Sequence, residues 1–161
     1  MNIKPIIIVS GEPYGVFNEI FFKVKKKKLF KQPIILIGSK KILNEQMKNL
    51  NYKFKINLLN HKNIDFNKIK KNNQIINLID IKLNLFSKSK NKIVFIRSYI
   101  QNCFEIGLNI LSQYKCSGFI NGPINKKTFL NYKYPGITEY LAEKFKVKNF
   151  AMLIYSKNLS V

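Results

Sequence analysis

Glycines follow three apolar runs of this sequence, at points where a strand would give way to a helix. Residues 5–10 lead into Gly11-Glu12-Pro13-Tyr14-Gly15, a second run leads into Gly38-Ser39, and a third leads into Asn121-Gly122-Pro123. Glycine lets backbone N–H groups approach an anion closely, and the N-terminus of a following helix adds a favourable dipole. We therefore expect ligand-binding loops here, although neither a Gly-x-Gly-x-x-Gly nor a Gly-Lys-Ser/Thr phosphate motif is present.

Three polar side chains lie in or near these loops and turns. Glu12 is in the first loop, Lys126 is in the first turn of the helix predicted after Gly122, and Thr138 opens a further helix. The Lys126 ammonium would suit an anionic substrate, and the Thr138 hydroxyl would hydrogen-bond a ligand. Each residue also has a purely structural interpretation. Glu12 would be an acid near a helix N-terminus, and Lys126 would be one of many surface lysines. Thr138 would likewise be the N-cap of a helix beginning at Glu139. The pattern leaves both interpretations open.

The sequence offers no metal site and no catalytic triad. His61 is the only histidine, and it lies in a Lys/Asn-rich connection without clustered carboxylates. Metal sites need several ligands together, so we do not expect His61 to bind one. Cys103 falls on an apolar helical stripe and is predicted to be a buried thiol. Two cysteines without a spacing motif fit a reducing cytoplasm.

Strand-like and helix-like segments alternate along the chain. The predicted strands are residues 5–10, 33–37, 54–59, 75–79, 93–96, 118–122 and 150–155. The predicted helices are residues 15–27, 40–50 with Ser39 as N-cap, 100–114, 124–132 with Asn125 as a cap, and 138–145. This alternation predicts an α/β fold with a largely parallel sheet and helices on both faces. In such sheets ligands bind at the carboxyl ends of the strands, where the glycine loops fall.

The charge of the chain is strongly positive, with a formal net charge of +21. Arg97 is the only arginine, and the abundant Lys, Asn, Ile, Phe and Tyr are all encoded by codons of A and T. Nucleic-acid readers rely on arginine for bidentate contacts. We therefore attribute the lysines to base composition, expect no nucleic-acid partner, and interpret the run at 25–28 as a solvated helix end. No apolar run could span a bilayer, so no membrane association is expected.

The order and spacing of the motifs resemble those of 4-hydroxythreonine-4-phosphate dehydrogenases. The matching segments are VSGEPYGVFNEI, FINGPINKKTFL and YPGITEYLAEKF. This family is similar in fold to isocitrate and isopropylmalate dehydrogenases. The resemblance implies NAD(P)-dependent oxidation and decarboxylation of 4-phosphooxy-L-threonine in vitamin B6 synthesis, assisted by a divalent metal that acts as a Lewis acid. It also implies a cytoplasmic homodimer with a cleft between two subdomains.

The resemblance carries over to individual residues only in part. The family's Gly-His-Thr-Glu motif reads Gly136-Ile137-Thr138-Glu139 here, so Thr138 keeps a substrate-contacting position. Ile137 replaces the histidine and has no hydrogen-bonding side chain. Lys126 matches the lysine of Gly-Pro-x-x-Lys. Tyr14, Phe17 and Asn18 make the first loop bulkier than the family's small residues do. The resemblance assigns Gly11, Glu12, Gly15 and Gly122 to the walls of the cleft.

The family's three metal-binding histidines have no counterpart in this chain. We therefore expect residues 1–161 to be the N-terminal α/β portion of a longer two-subdomain enzyme, incomplete at the C-terminus, without an internal linker and inactive alone. One alternative is a divergent, non-catalytic relative that binds a small anion or a partner subunit, which Ile137 favours. Another is a basic nucleic-acid-binding domain, for which only the charge argues.

Overall fold

The computed structural model describes residues 4–83, 92–130 and 133–155. Its centre is a five-stranded sheet in the order β3-β4-β2-β1-β5, in which every pair of neighbours is parallel. The strands are β1 (Ile6–Val9), β2 (Ile34–Gly38), β3 (Lys55–Leu58), β4 (Ile75–Asp80) and β5 (Gly118–Asn121). The helices are α1 (Phe17–Lys26), α2 (Lys40–Asn49), α3 (Lys92–Gln113), α4 (Lys126–Leu130) and α5 (Ile137–Lys144). The predicted α/β class is confirmed.

Helices cover both faces of the sheet because successive strand residues point to opposite sides. On one face Ile8, Leu36 and Leu78 pack in a core with phenylalanines of α1 and with Leu43 of α2. On the other face α3 approaches so closely that a Cβ on Gly107 would lie 3.1 Å from Val9 and 3.3 Å from Ile37. The near-continuous apolar runs of β1 and β2 are typical of parallel strands that are buried on both sides.

The prediction of a strand at residues 93–96 is wrong, because α3 already begins at Lys92. β-branched residues favoured a strand there. However, Ile93 and Val94 are exposed, while the buried positions of α3 recur at helical spacing from Tyr99 onward. Helical packing against the sheet therefore overrides the local propensity of this short segment.

Residues 125–161 form a second compact unit, distinct from residues 1–124. Within it, the rings of Phe129 on α4 and Tyr140 on α5 meet edge to face at 5.4 Å. The strand predicted at 150–155 is absent from the described part of this unit, where only Tyr155 makes an isolated bridge. Its apolar side chains stay exposed, from 49% at Phe150 to 75% at Tyr155. The described residues therefore supply neither a sheet nor a core for this run.

Hydrogen bonds of the Asn77 side chain hold the polar connection between β3 and β4 against the sheet. The side chain is 3% exposed, and its amide nitrogen donates to the carbonyls of Ile34 and Lys70 at 3.0 and 2.9 Å. Its oxygen accepts from the Lys70 backbone N–H at 2.8 Å and from the Asn57 amide at 2.9 Å. A buried amide with every bond made fixes one arrangement of the chain around it.

Lys25 is buried, so the interpretation of the whole 25–28 run as a solvated helix end is wrong at this residue. Lys25 is 6% exposed, and its ammonium donates to the carbonyl of Ile75 at 3.0 Å. Burial lowers the pKa of the Lys25 ammonium to about 8. The next three lysines are exposed, as predicted.

Candidate functional site

The carboxyl ends of the strands meet at one edge of the sheet. Val9 at the end of β1 pairs with Ile37 on one side and with Asn121 on the other, and Gly38 pairs with Asp80. Because neighbouring strands stop in register, the three glycine loops predicted from the sequence begin side by side.

The loops after β1 and β5 are joined through their backbones. Gly122 N–H donates to the carbonyl of Val9 at 2.7 Å, and Glu12 N–H donates to the carbonyl of Pro123 at 2.9 Å. Only glycine fits at the crossing. Gly11 has φ +71, and a Cβ there would lie 2.4 Å from the Pro123 carbonyl oxygen. A Cβ on Gly122 would lie 2.3 Å from the Ser10 carbonyl oxygen. The structure thus brings Gly11, Glu12 and Gly122 together.

The remainder of the first loop is a turn that leads into α1. Gly15 N–H donates to the Glu12 carbonyl at 3.2 Å, which closes the turn. The helix begins at Phe17, two residues later than predicted, and its N-cap Val16 has no side-chain capping bond. Glu12 is half-buried and Tyr14 is 52% exposed. The first loop therefore carries a half-buried glutamate and an exposed aromatic side chain.

Ser39 begins α2 as predicted, and it joins a buried polar cluster that the sequence did not indicate. Its hydroxyl accepts from Ile42 N–H at 3.4 Å, and its own N–H donates to the Tyr99 hydroxyl at 2.9 Å. The Tyr99 hydroxyl lies 3.3 Å from the Ser10 hydroxyl. Nearby, Asp80 accepts from Lys40 N–H at 2.8 Å and so occupies part of the N-terminus of α2.

The titratable groups in this cluster are held neutral. Burial raises the pKa of the Tyr99 hydroxyl far above its ordinary value, and it raises the pKa of the Cys103 thiol to about 12. The predicted burial of Cys103 is confirmed. Through the Tyr99 hydroxyl, the cluster joins α3 to the residues that follow β1 and β2.

The other predicted site residues lie in the second unit. Lys126 is the exposed first residue of α4, and Asn125 before it accepts the first helical hydrogen bond, from Phe129 N–H at 2.9 Å. Ile137 and Thr138 are the first two residues of α5 and are half-buried. Gly136 is the N-cap of α5. The alternative interpretation of Thr138 as an N-cap is therefore wrong, and its hydroxyl has no capping role there.

Metal ligands do not cluster in the part of the chain that the structure describes. No group of three or more His, Cys, Asp or Glu side chains able to hold a metal ion occurs among those residues. The described residues therefore hold no complete set of ligands for the divalent metal that the family resemblance implies. Among the same residues, no helix has both the length and the apolar character needed to cross a membrane.

The fold and the joined loops define an α/β protein with a parallel sheet. In this class of protein, ligands bind at the carboxyl ends of the strands. The family follows from the sequence comparison: residues 30–161 match the family model described as pyridoxal phosphate biosynthetic protein PdxA. The chain belongs to the PdxA family.

Two relatives carry the same name, 4-hydroxythreonine-4-phosphate dehydrogenase. The protein from Sulfurihydrogenibium sp. (strain YO3AOP1) is 32% identical over 160 residues, which cover 97% of this chain and 47% of that protein. The protein from Aquifex aeolicus (strain VF5) is 26% identical, over 98% of this chain and 48% of that protein. The chain spans about half the length of the curated relatives it matches.

Solved structures of proteins with this name share the fold. The structure from Klebsiella pneumoniae superposes with a TM-score of 0.80 at 21% identity, over 99% of this chain and 50% of that chain. The structure from Burkholderia phymatum gives 0.76 at 19% identity, over 99% and 49%. At these identities the likeness supports the fold alone, and it confirms the α/β architecture predicted here.

Proposed function

We propose that this chain forms part of an NAD-dependent, metal-assisted dehydrogenase that oxidises and decarboxylates 4-phosphooxy-L-threonine in vitamin B6 synthesis. The observation that carries the proposal is the glycine crossing of the β1 and β5 loops, in a chain that belongs to the PdxA family. The absence of a Cβ at Gly11 and Gly122 allows the two loops to meet at the edge where open α/β sheets bind ligands. The names of the two relatives, 4-hydroxythreonine-4-phosphate dehydrogenase, support the oxidation of this substrate.

The proposed substrate contacts are the residues that the family resemblance assigns. Gly11, Glu12, Gly15 and Gly122 would form the cleft wall, the Lys126 ammonium would face a substrate anion, and Thr138 would hydrogen-bond the substrate. NAD would accept the hydride, and a divalent metal would polarise the reacting hydroxyl. The metal ligands would have to come from outside the residues described above, since these form no ligand cluster.

The complete enzyme would include polypeptide equivalent to the other half of its relatives. The apolar run 150–155 supports this proposal, because its side chains are exposed on every residue. A run that is apolar at each position suits a strand that is buried on both faces. A partner subunit that covered only one face of this run would leave the side chains on its other face exposed.

We further propose that the complete enzyme is a cytoplasmic homodimer, and that residues 1–161 alone have no turnover.

A non-catalytic relative is the second candidate, and Ile137 favours it. The aliphatic Ile137 side chain lies at the first position of α5, where the resembling family has a histidine that contacts substrate. A chain that had lost catalysis would keep the scaffold and the glycine crossing, and would bind a small anion or a partner subunit.

NADH formation from 4-phosphooxy-L-threonine, NAD and a divalent metal separates the two candidates. We expect turnover from the chain extended to the length of its relatives by its own downstream coding sequence, and none from residues 1–161 alone. Thr138→Ala in the extended chain should lower kcat/KM about tenfold, because one hydrogen bond to substrate is lost. The matched control Thr138→Ser keeps the hydroxyl and should keep the kcat/KM of the parent. An extended chain that binds metal and NAD without turnover would favour the non-catalytic candidate.

A further inference from the structure

A small cavity lies behind the first loop, between the start of α1 and the start of α2. Its volume is about 10 Å³, which is room for one water molecule. The polar side chains that line it are Ser10, Asn18, Ser39 and Tyr99; Pro13, Gly38 and aliphatic side chains complete the wall.

Asn18 is the member of this lining whose hydrogen bonds are not accounted for. It is 5% exposed, and its side-chain amide has no hydrogen-bond partner among the described residues. Yet no fully enclosed side-chain nitrogen or oxygen in the described part of the chain lacks a partner. The amide of Asn18 therefore reaches solvent-accessible space, and Asn18 is one of the residues that line the cavity.

The lining also restricts the chemistry of the occupant. No lining residue carries a charge, so the cavity favours neither an anion nor a metal ion. The Tyr99 hydroxyl accepts from Ser39 N–H and the Ser39 hydroxyl accepts from Ile42 N–H, which leaves these oxygens further capacity. A neutral occupant that both donates and accepts hydrogen bonds, and is no larger than water, meets these conditions.

We propose that Asn18 holds a single ordered water in this cavity and that the water ties the first loop and α1 to the N-terminus of α2. A water in the cavity would give the Asn18 amide the hydrogen bonds that no described protein group supplies. Asn18 is thereby a positioning residue for the glycine crossing. The proposal does not depend on which reaction the PdxA-family enzyme performs.

A high-resolution crystal structure of the protein tests the proposal directly. We expect a water oxygen about 2.7–3.2 Å from the Asn18 amide and from a hydroxyl of the lining. Asn18→Leu, which is close in size but apolar, should expel the water, lower the melting temperature by several degrees and speed amide exchange in residues 11–16. Asn44→Leu, the same change at an exposed position of α2, should do none of this.

A cavity without water density overturns the proposal. So does an Asn18→Leu variant with an unchanged or raised melting temperature, because replacing a dry, unpartnered amide by an apolar group stabilises a protein.

Discussion

Gly122→Ala should destabilise the protein by about 3 kcal/mol, near the upper end for a single overpacking substitution. The added methyl would lie 2.3 Å from the carbonyl oxygen of Ser10 and 2.8 Å from the Phe17 ring. The first of these atoms is backbone, so no side-chain rotation relieves the clash. The loop after β1 would have to separate from the loop after β5, and the bond from Gly122 N–H to Val9 would be lost with it. Urea unfolding at constant m-value measures the change.

The control for this prediction is Gly118→Ala at the beginning of β5, the strand that Gly122 follows. A Cβ on Gly118 would meet no atom within 4 Å. We expect its stability to stay within about 0.5 kcal/mol of the parent protein. Equal stability of the two variants would mean that the loops do not cross as closely as described, and the account of the cleft wall would fail with them.

Lys25→Met should remove a gain of about 3 kcal/mol in folding stability that Lys25 causes between about pH 8 and about pH 10.5. The unfolded Lys25 has the ordinary pKa of 10.5, whereas the folded ammonium has a pKa of about 8. The unfolded state therefore binds the proton more tightly, and folding stability rises with pH between about 8 and 10.5. This shift of about 2.5 units corresponds to about 3 kcal/mol at 1.36 kcal/mol per unit. The methionine variant has no such group, so the parent protein should gain stability relative to the variant as the pH rises from about 8 to about 10.5.

Lys27→Met provides the matched comparison, because Lys27 is exposed on the same helix end. The Lys27→Met variant therefore controls for the loss of one positive charge from this helix end. If the stability curve of Lys25→Met has the same pH dependence as that of Lys27→Met, the Lys25 ammonium is not desolvated in the folded state.

Local patterns predicted the parts of the fold that local physics determines. Apolar runs followed by glycine predicted β1, β2 and β5, and the Ser39 hydroxyl predicted the start of α2. The glycine loops were predicted to border a site because the carboxyl ends of parallel strands share one edge. Their direct contact at Gly11 and Gly122 was not predictable, since strand order is not encoded in either loop.

The errors arise where partners distant in sequence decide the structure. The buried Lys25 ammonium donates to a carbonyl 50 residues away in sequence. The Tyr99 hydroxyl is hydrogen-bonded to a hydroxyl 89 residues away. Neither contact leaves a spacing signal near the residue concerned. At 93–96 packing of α3 overrode β-propensity. At 150–155 the propensity for a strand is strong, but the described chain supplies no sheet to complete it.

Hydrogen exchange with and without substrate tests the central claim, that the β1 and β5 loops form one wall of the substrate cleft. The experiment uses the chain extended to the length of its relatives, with 4-phosphooxy-L-threonine, a divalent metal and NADH as the non-oxidising cofactor. We expect exchange to slow several-fold in residues 9–16 and 119–124, and to stay unchanged in the body of α2. Binding of substrate that protects other segments and leaves both loops unaltered would contradict the account.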